Sequence, residues 1–184
     1  MTSKLPDKRT DSGNGCRSLE TADPSRGTAA EKLALSEMLS EETITLGLTV
    51  RDWPDAVREA GSLLVKAGAV EPRYIEAMVE MVRDIGPYIV VAPGVALPHA
   101  RPEDGVKRAC MSLVTLTPPV DFGNEYNDPV GLVVAFATTD QKAHINALAE
   151  LAKLLSDSIT LETLGRASSP EEIMRLIASG GESK

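Results

Sequence analysis

Apolar residues recur along this chain in three rhythms, and each predicts a different kind of element. Over residues 43–50 they alternate, with Ile44, Leu46, Leu48 and Val50 on one side, which is the two-residue period of a strand. From Asp52 the period lengthens. Ala56, Val57, Ala60, Leu63, Leu64 and Ala67 form a stripe at helical spacing, with Asp52 placed to cap it, Pro54 in its first turn and Gly68 to stop it. Pro72 opens a second helix with Tyr74, Ile75, Met78, Val79 and Val82 inward and Gly86-Pro87 at its end. The third rhythm is continuous: residues 88–91, 94–97, 109–116 and 130–136 are apolar at nearly every position, the pattern of strands covered on both faces. Helical spacing then returns from Gln141 to Leu155, with Thr139 or Asp140 as cap, and again over 159–164 and 170–177. A short helix over 32–39 precedes the first strand. Helices that alternate with such strands and then follow them predict an α/β fold, a mixed sheet sandwiched between helices.

Composition changes this picture at one end. Residues 1–30 contain only Leu5 and Leu19 from the Leu, Ile, Val and Phe set, too little apolar surface to offset the entropy of ordering. They are expected to be a disordered leader, with one domain over 31–184. Aromatic residues are only 3% of the 184, so Leu, Val, Ile, Ala and Met must fill the core. The net charge is −8, and the leader holds five basic and four acidic side chains, so the predicted domain is the acidic part. That balance repels a phosphate backbone and argues against nucleic acid as a partner. No run of 18 apolar residues predicts a transmembrane helix, and no h-region marks a secretory signal. The two cysteines, Cys16 and Cys110, stand in unrelated contexts, so no disulfide is expected and a reducing cytoplasm is the expected location.

Candidate chemistry narrows to two histidines. His99 follows a short apolar strand that Pro98 ends, and it opens a loop rich in proline and charge. An imidazole held there is positioned and reachable, and its neutral form is abundant near pH 7, so it suits nucleophilic work. A loop histidine with no role fits the local pattern equally. His144 lies one turn into the helix from Gln141 and shares the face of Leu148, Leu151 and Leu155. It is either a core histidine or, beside the free N–H groups of a helix start, a donor toward an anion such as a phosphoryl group. Arg101, two residues after His99, either contacts phosphoryl oxygens or solvates the loop. Cys110, at a strand start, reads as a small core residue. No His-x-x-x-His or Cys-x-x-Cys pair occurs, so neither a metal nor another cofactor is expected. Phosphate-loop and dinucleotide-binding patterns are absent too.

The run Ile89-Val90-Val91-Ala92-Pro93-Gly94-Val95-Ala96-Leu97-Pro98-His99-Ala100-Arg101-Pro102 resembles the active-site motif of enzyme IIA components of the sugar phosphotransferase system, mannitol/fructose type. Val120-Asp121-Phe122-Gly123, Asn127-Asp128-Pro129-Val130 and Asp140-x-x-x-His144-x-x-x-Leu148-x-x-Leu151 fit the same family, as do Ala60-Gly61-x-Leu63-Leu64 and Tyr74-Ile75-x-Ala77-Met78 upstream. The resemblance spans residues 33–178. The Pro-His-Ala-Arg-Pro and Asn-Asp-Pro-Val stretches look most like the ascorbate-type subgroup.

The resemblance implies the mannitol-type enzyme IIA fold and a phosphoryl carrier. His99 would be phosphorylated by the phosphocarrier HPr at Nε2 (a tele-phosphohistidine) and would pass the group to a IIB component, with a cysteine acceptor in the ascorbate group. His144 would be the second active-site histidine, stabilising the phosphoryl group, and Arg101 a supporting residue. A membrane IIC subunit would be involved only indirectly. A regulatory protein of the same fold, as in the nitrogen-related branch, is the alternative, and gene neighbours for IIB and IIC would separate the two.

Overall fold

The Asp52 side chain accepts the Asp55 backbone N–H at 3.0 Å and opens helix α2 (Trp53–Lys66) where the sequence places a cap. The same device recurs down the chain. Asp140 accepts from Ala143 at 2.9 Å to start α4 (Gln141–Leu155), Asp157 caps α5 (Ser158–Arg166), and Ser169 caps α6 (Pro170–Ala178). The computed structural model describes residues 35–179, and the leader expected over 1–30, with its boundary, lies outside them. Within them the remaining helices are α1 (Leu35–Met38) and α3 (Arg73–Ile85). The strands are β1 (Ile44–Leu48), β2 (Val90–Ala92), β3 (Val95–Ala96), β4 (Cys110–Val120) and β5 (Val130–Ala137).

The five strands form one mixed sheet in the order β1-β4-β5-β3-β2. β1 runs parallel to β4 and β3 parallel to β5, whereas β4–β5 and β2–β3 are antiparallel. A tight turn at Pro93-Gly94 joins β2 to β3, and Gly94 adopts a φ of 74° that a side chain disfavours. Its carbonyl accepts the N–H groups of Gly131 and Leu132 at 2.9 Å each, so the turn is pinned to the start of β5.

β5 shows why the strand runs are apolar at every position. Val133, Ala135 and Ala137 pack into one core with residues of α2 and α3, while Leu132, Val134 and Phe136 pack into a second core with α1, α4, α5 and α6. Alternate side chains serve opposite faces, so a strand buried on both has no polar side. The mixed sheet between helices is therefore the observed fold. α4 is held to it by Ala147, Leu151, Leu154 and Leu155, all buried. Each leucine is worth about 1.5–3 kcal/mol of burial, more than the roughly 1 kcal/mol of a single cap. Packing thus fixes the helix, and Asp140 fixes where it begins.

At two strand ends the difference from the sequence expectation has a clear physical reason. β4 continues past Leu116 through Pro118 and Pro119 to Val120. The register shifts between Thr115 and Val120, so the prolines occupy an irregular stretch where a missing N–H costs no regular ladder bond. β2 begins at Val90 and not at Tyr88, whose N–H instead closes a turn on the Gly86 carbonyl.

Candidate active site

β3 ends at Ala96, and Pro98 and His99 follow it beside β5. In the parallel register Val95 faces Leu132 and Ala96 faces Val133, so continuing it sets His99 beside Phe136. The Phe136 N–H still donates to the Pro98 carbonyl at 3.3 Å, as a parallel ladder requires. The next bond would join the Ala100 N–H to the Phe136 carbonyl. A side chain is interposed there instead: the Ala100 N–H donates to the Tyr74 hydroxyl at 3.0 Å, and the Phe136 carbonyl accepts from that hydroxyl at 3.0 Å. The Ala100 carbonyl lies 3.2 Å from the same oxygen. Tyr74 is fully buried, and burial pushes its phenol up to about 12, so it stays neutral throughout the working range. The strand end carrying His99 is therefore bonded to β5 through a tyrosine of α3.

The His99 ring is half-buried, and its Nδ1 lies 2.9 Å from the Leu97 carbonyl oxygen. A carbonyl only accepts, so Nδ1 carries the hydrogen and Nε2 keeps its lone pair. Burial pushes the His99 pKa below its ordinary value; the Leu97 bond opposes that shift and the nearby His144 adds to it. The outcome is a neutral imidazole with a defined nucleophilic nitrogen.

His144 completes the pair. It sits in the first turn of α4, its backbone N–H bonded to the Asp140 carbonyl at 3.0 Å, and its ring centroid is 5.0 Å from that of His99. The Phe136 ring packs against both, at 4.9 Å from His99 and 5.3 Å from His144. Burial lowers the His144 pKa as well. Two imidazoles from separate elements, 45 positions apart in the chain, thus share one apolar floor. Tyr88 meets His99 edge-on at 6.2 Å, and Tyr88, Val91 and Ile145 are all exposed apolar side chains.

Arg101 is not drawn into this pair. Its backbone N–H donates to Asp104 Oδ2 at 3.0 Å at the start of a 3-10 turn over Pro102–Asp104, and its side chain is exposed. Among the described residues its guanidinium has no hydrogen-bond or ion-pair partner. Cys110 is buried, as a small core residue would be, and burial raises its thiol pKa. No three His, Cys, Asp or Glu side chains among the described residues gather closely enough to hold a metal ion.

Comparison with known proteins places the chain in a family. The family model described as phosphoenolpyruvate-dependent sugar phosphotransferase system, EIIA 2, matches residues 37–180. The chain belongs to this EIIA family. The ascorbate-specific PTS system EIIA component of Salmonella choleraesuis is 38% identical over 147 residues, which cover 79% of this chain and 96% of that protein. The mannitol-specific cryptic phosphotransferase enzyme IIA of Escherichia coli superposes with a TM-score of 0.72 at 34% identity, covering 79% of this chain and 98% of the other. The Escherichia coli mannitol enzyme IIA, solved in complex with phosphorylated enzyme IIB, gives 0.68 at 30% identity over 77% of this chain and 97% of that one.

The EIIA assignment makes the chain a phosphotransferase, a phosphoryl carrier of the sugar phosphotransferase system, and favours that role over the nitrogen-type regulator. The mannitol-type fold expected from the sequence is the one these relatives have. No helix among the described residues is long and apolar enough to cross a membrane. The sequence singled out both histidines that the fold brings together in this candidate site. It missed Tyr74 and Phe136 as site residues, since each reads only as an inward position of its helix or strand. Their contribution depends on a strand register that no local pattern carries.

Proposed function

We propose that His99 Nε2 carries the phosphoryl group, accepting it from the phosphocarrier HPr and handing it to a IIB component. In this reading the carrier domain spans residues 31–184, works in the cytoplasm and serves sugar uptake through a membrane IIC subunit it need not touch. L-ascorbate is the proposed sugar, by analogy with the Salmonella choleraesuis relative and the Pro-His-Ala-Arg-Pro stretch. The observation that carries the reading is the bond from His99 Nδ1 to the Leu97 carbonyl, which leaves Nε2 unprotonated beside a second imidazole.

The chemistry balances without a cofactor. The Nε2 lone pair forms a bond to phosphorus as the P–N bond of the donor phosphohistidine breaks, and that nitrogen keeps the electron pair. The reverse exchange with a IIB thiolate returns the lone pair to Nε2. Such transfers pass through a loose phosphoryl group whose charge is spread over its oxygens, so positioning and nearby donors dominate the catalysis. His144, at the positive end of α4, is the donor this reading assigns. Arg101 remains a supporting candidate that could swing in from solvent. Tyr88, exposed and edge-on to His99, gives a protein partner an apolar contact beside the site.

Incubation with enzyme I, HPr and labelled phosphoenolpyruvate tests the assignment. Wild-type chain should take up one label and the His99→Ala protein none; label retained by His99→Ala overturns it. Presenting candidate IIB proteins to the labelled chain then identifies the route onward, with an ascorbate-type IIB expected to accept fastest.

A further inference from the structure

The two imidazoles need different tautomers to do different work. A nucleophile offers a lone pair, whereas a group that steadies a phosphoryl oxygen while neutral must offer an N–H. The Leu97 carbonyl settles His99. For His144 the deciding contact is Thr138, which follows β5 directly and is 3% exposed. Its Oγ1 lies 3.4 Å from His144 Nδ1 across the turn that Asp140 caps.

A hydroxyl can donate or accept, so the distance alone leaves the direction open. Burial decides it. Among the described residues the Thr138 hydroxyl has no other partner than this nitrogen. If Nδ1 were protonated and donated to Thr138, the hydroxyl hydrogen would be buried with nothing to receive it, the more costly arrangement. The hydroxyl therefore donates, Nδ1 accepts, and the ring hydrogen of neutral His144 sits on Nε2.

We propose that Thr138 is a positioning residue which holds His144 in its Nε2–H form, so that the site pairs one lone-pair nitrogen, on His99, with one N–H nitrogen, on His144. The inference rests on the reading of these histidines as the phosphoryl-handling pair, and it assigns that pair's donor to a specific atom. Thr138 touches no phosphoryl group itself. It acts through the imidazole, much as the Leu97 carbonyl acts through His99. The site thereby receives a nucleophile and a donor from two chemically identical rings, distinguished only by what each Nδ1 meets.

Nitrogen-15 NMR of the full chain, at a pH where both imidazoles are neutral, reads the tautomers directly. Wild-type His144 should show an unprotonated Nδ1 and a protonated Nε2. Thr138→Val, which keeps the shape and removes the hydroxyl, should give a mixture of forms, and Thr138→Ser should restore the wild-type pattern. Transfer from the labelled chain to its IIB acceptor should slow about 3- to 10-fold in Thr138→Val at unchanged KM for the acceptor, the loss expected when one neutral hydrogen bond is weakened. A wild-type His144 protonated at Nδ1 overturns the proposal, and so does a Thr138→Val protein with unchanged tautomer populations. The wild-type spectrum is decisive even where the Val variant fails to fold. Failure here leaves the His99 labelling result intact, whereas label on His99→Ala would sink the underlying reading, so the two failures are distinct.

Discussion

The Leu97 carbonyl and His99 Nδ1 stand 2.9 Å apart at the end of one short strand, so the chain supplies its own tautomer selector two residues before the imidazole. No side chain is required for this. The expected outcome is that phosphorylated protein carries its phosphorus on Nε2 of His99. Phosphorus–nitrogen couplings in the NMR spectrum of the labelled chain distinguish the two nitrogens, and a group found on Nδ1 would contradict the geometry.

Burial depresses the pKa of both imidazoles, and this sets the pH dependence. Protonation removes the Nε2 lone pair, so phosphoryl acceptance falls as pH falls. The loss should begin below the ordinary imidazole value of about 6.5, since the folded ring holds its neutral form further into acid. Stability follows the same sign. With the folded pKa below the unfolded one, the unfolded chain binds more protons in that interval. The contribution is complete above the unfolded value and is lost as pH falls through the depressed one. Titration of the ring resonances of His99, together with labelling rates at each pH, checks both. A midpoint at or above the ordinary value would refute the prediction.

Tyr74→Phe removes one oxygen and leaves the Ala100 N–H without its acceptor. Stability should fall by about 1–3 kcal/mol, the range for stranding a buried polar group. Because Ala100 adjoins His99, labelling should also slow beyond what lost stability explains. Chemical denaturation gives the first quantity, and labelling well below the unfolding temperature gives the second. Normal labelling rates in a destabilised protein would show that the hydroxyl serves the fold alone.

His144→Ala should still accept the phosphoryl group but pass it on about 10- to 100-fold more slowly, the scale of one hydrogen bond to a charged group. His144→Gln, which keeps a donor, should recover part of that loss. Single-turnover transfer to IIB separates acceptance from release. Equal transfer by the Ala variant and the wild type would remove His144 from the chemistry.

Much of this architecture is legible in the sequence. The starts of α2 and α4 followed from Asp52 and Asp140, each with a helical apolar stripe behind it, and the doubly buried strands followed from runs such as 130–136 with no polar alternation. His99 and His144 were visible as the two histidines in the chain, each at a junction. What stayed hidden depends on distance along the chain. Tyr74 meets Ala100 and Phe136 across 26 and 62 positions, so nothing local distinguishes its hydroxyl from that of any inward tyrosine. The strand ends near Tyr88 and beyond Leu116 were also hidden, because turns and register shifts trade one backbone bond for another without changing which residues are apolar.

Tyr74 rises from the α2–α3 layer, behind the sheet as seen from α4, and its hydroxyl finishes in the seam beside His99. The two helical layers are therefore not interchangeable shells around a sheet that carries all the function. The layer without a histidine acts as the backstop of the layer that has one, and an adjustment in how α3 beds against α2 would reach His99 through a single oxygen atom. Packing on the far side of the sheet thus bears on the histidine pair through one buried hydroxyl.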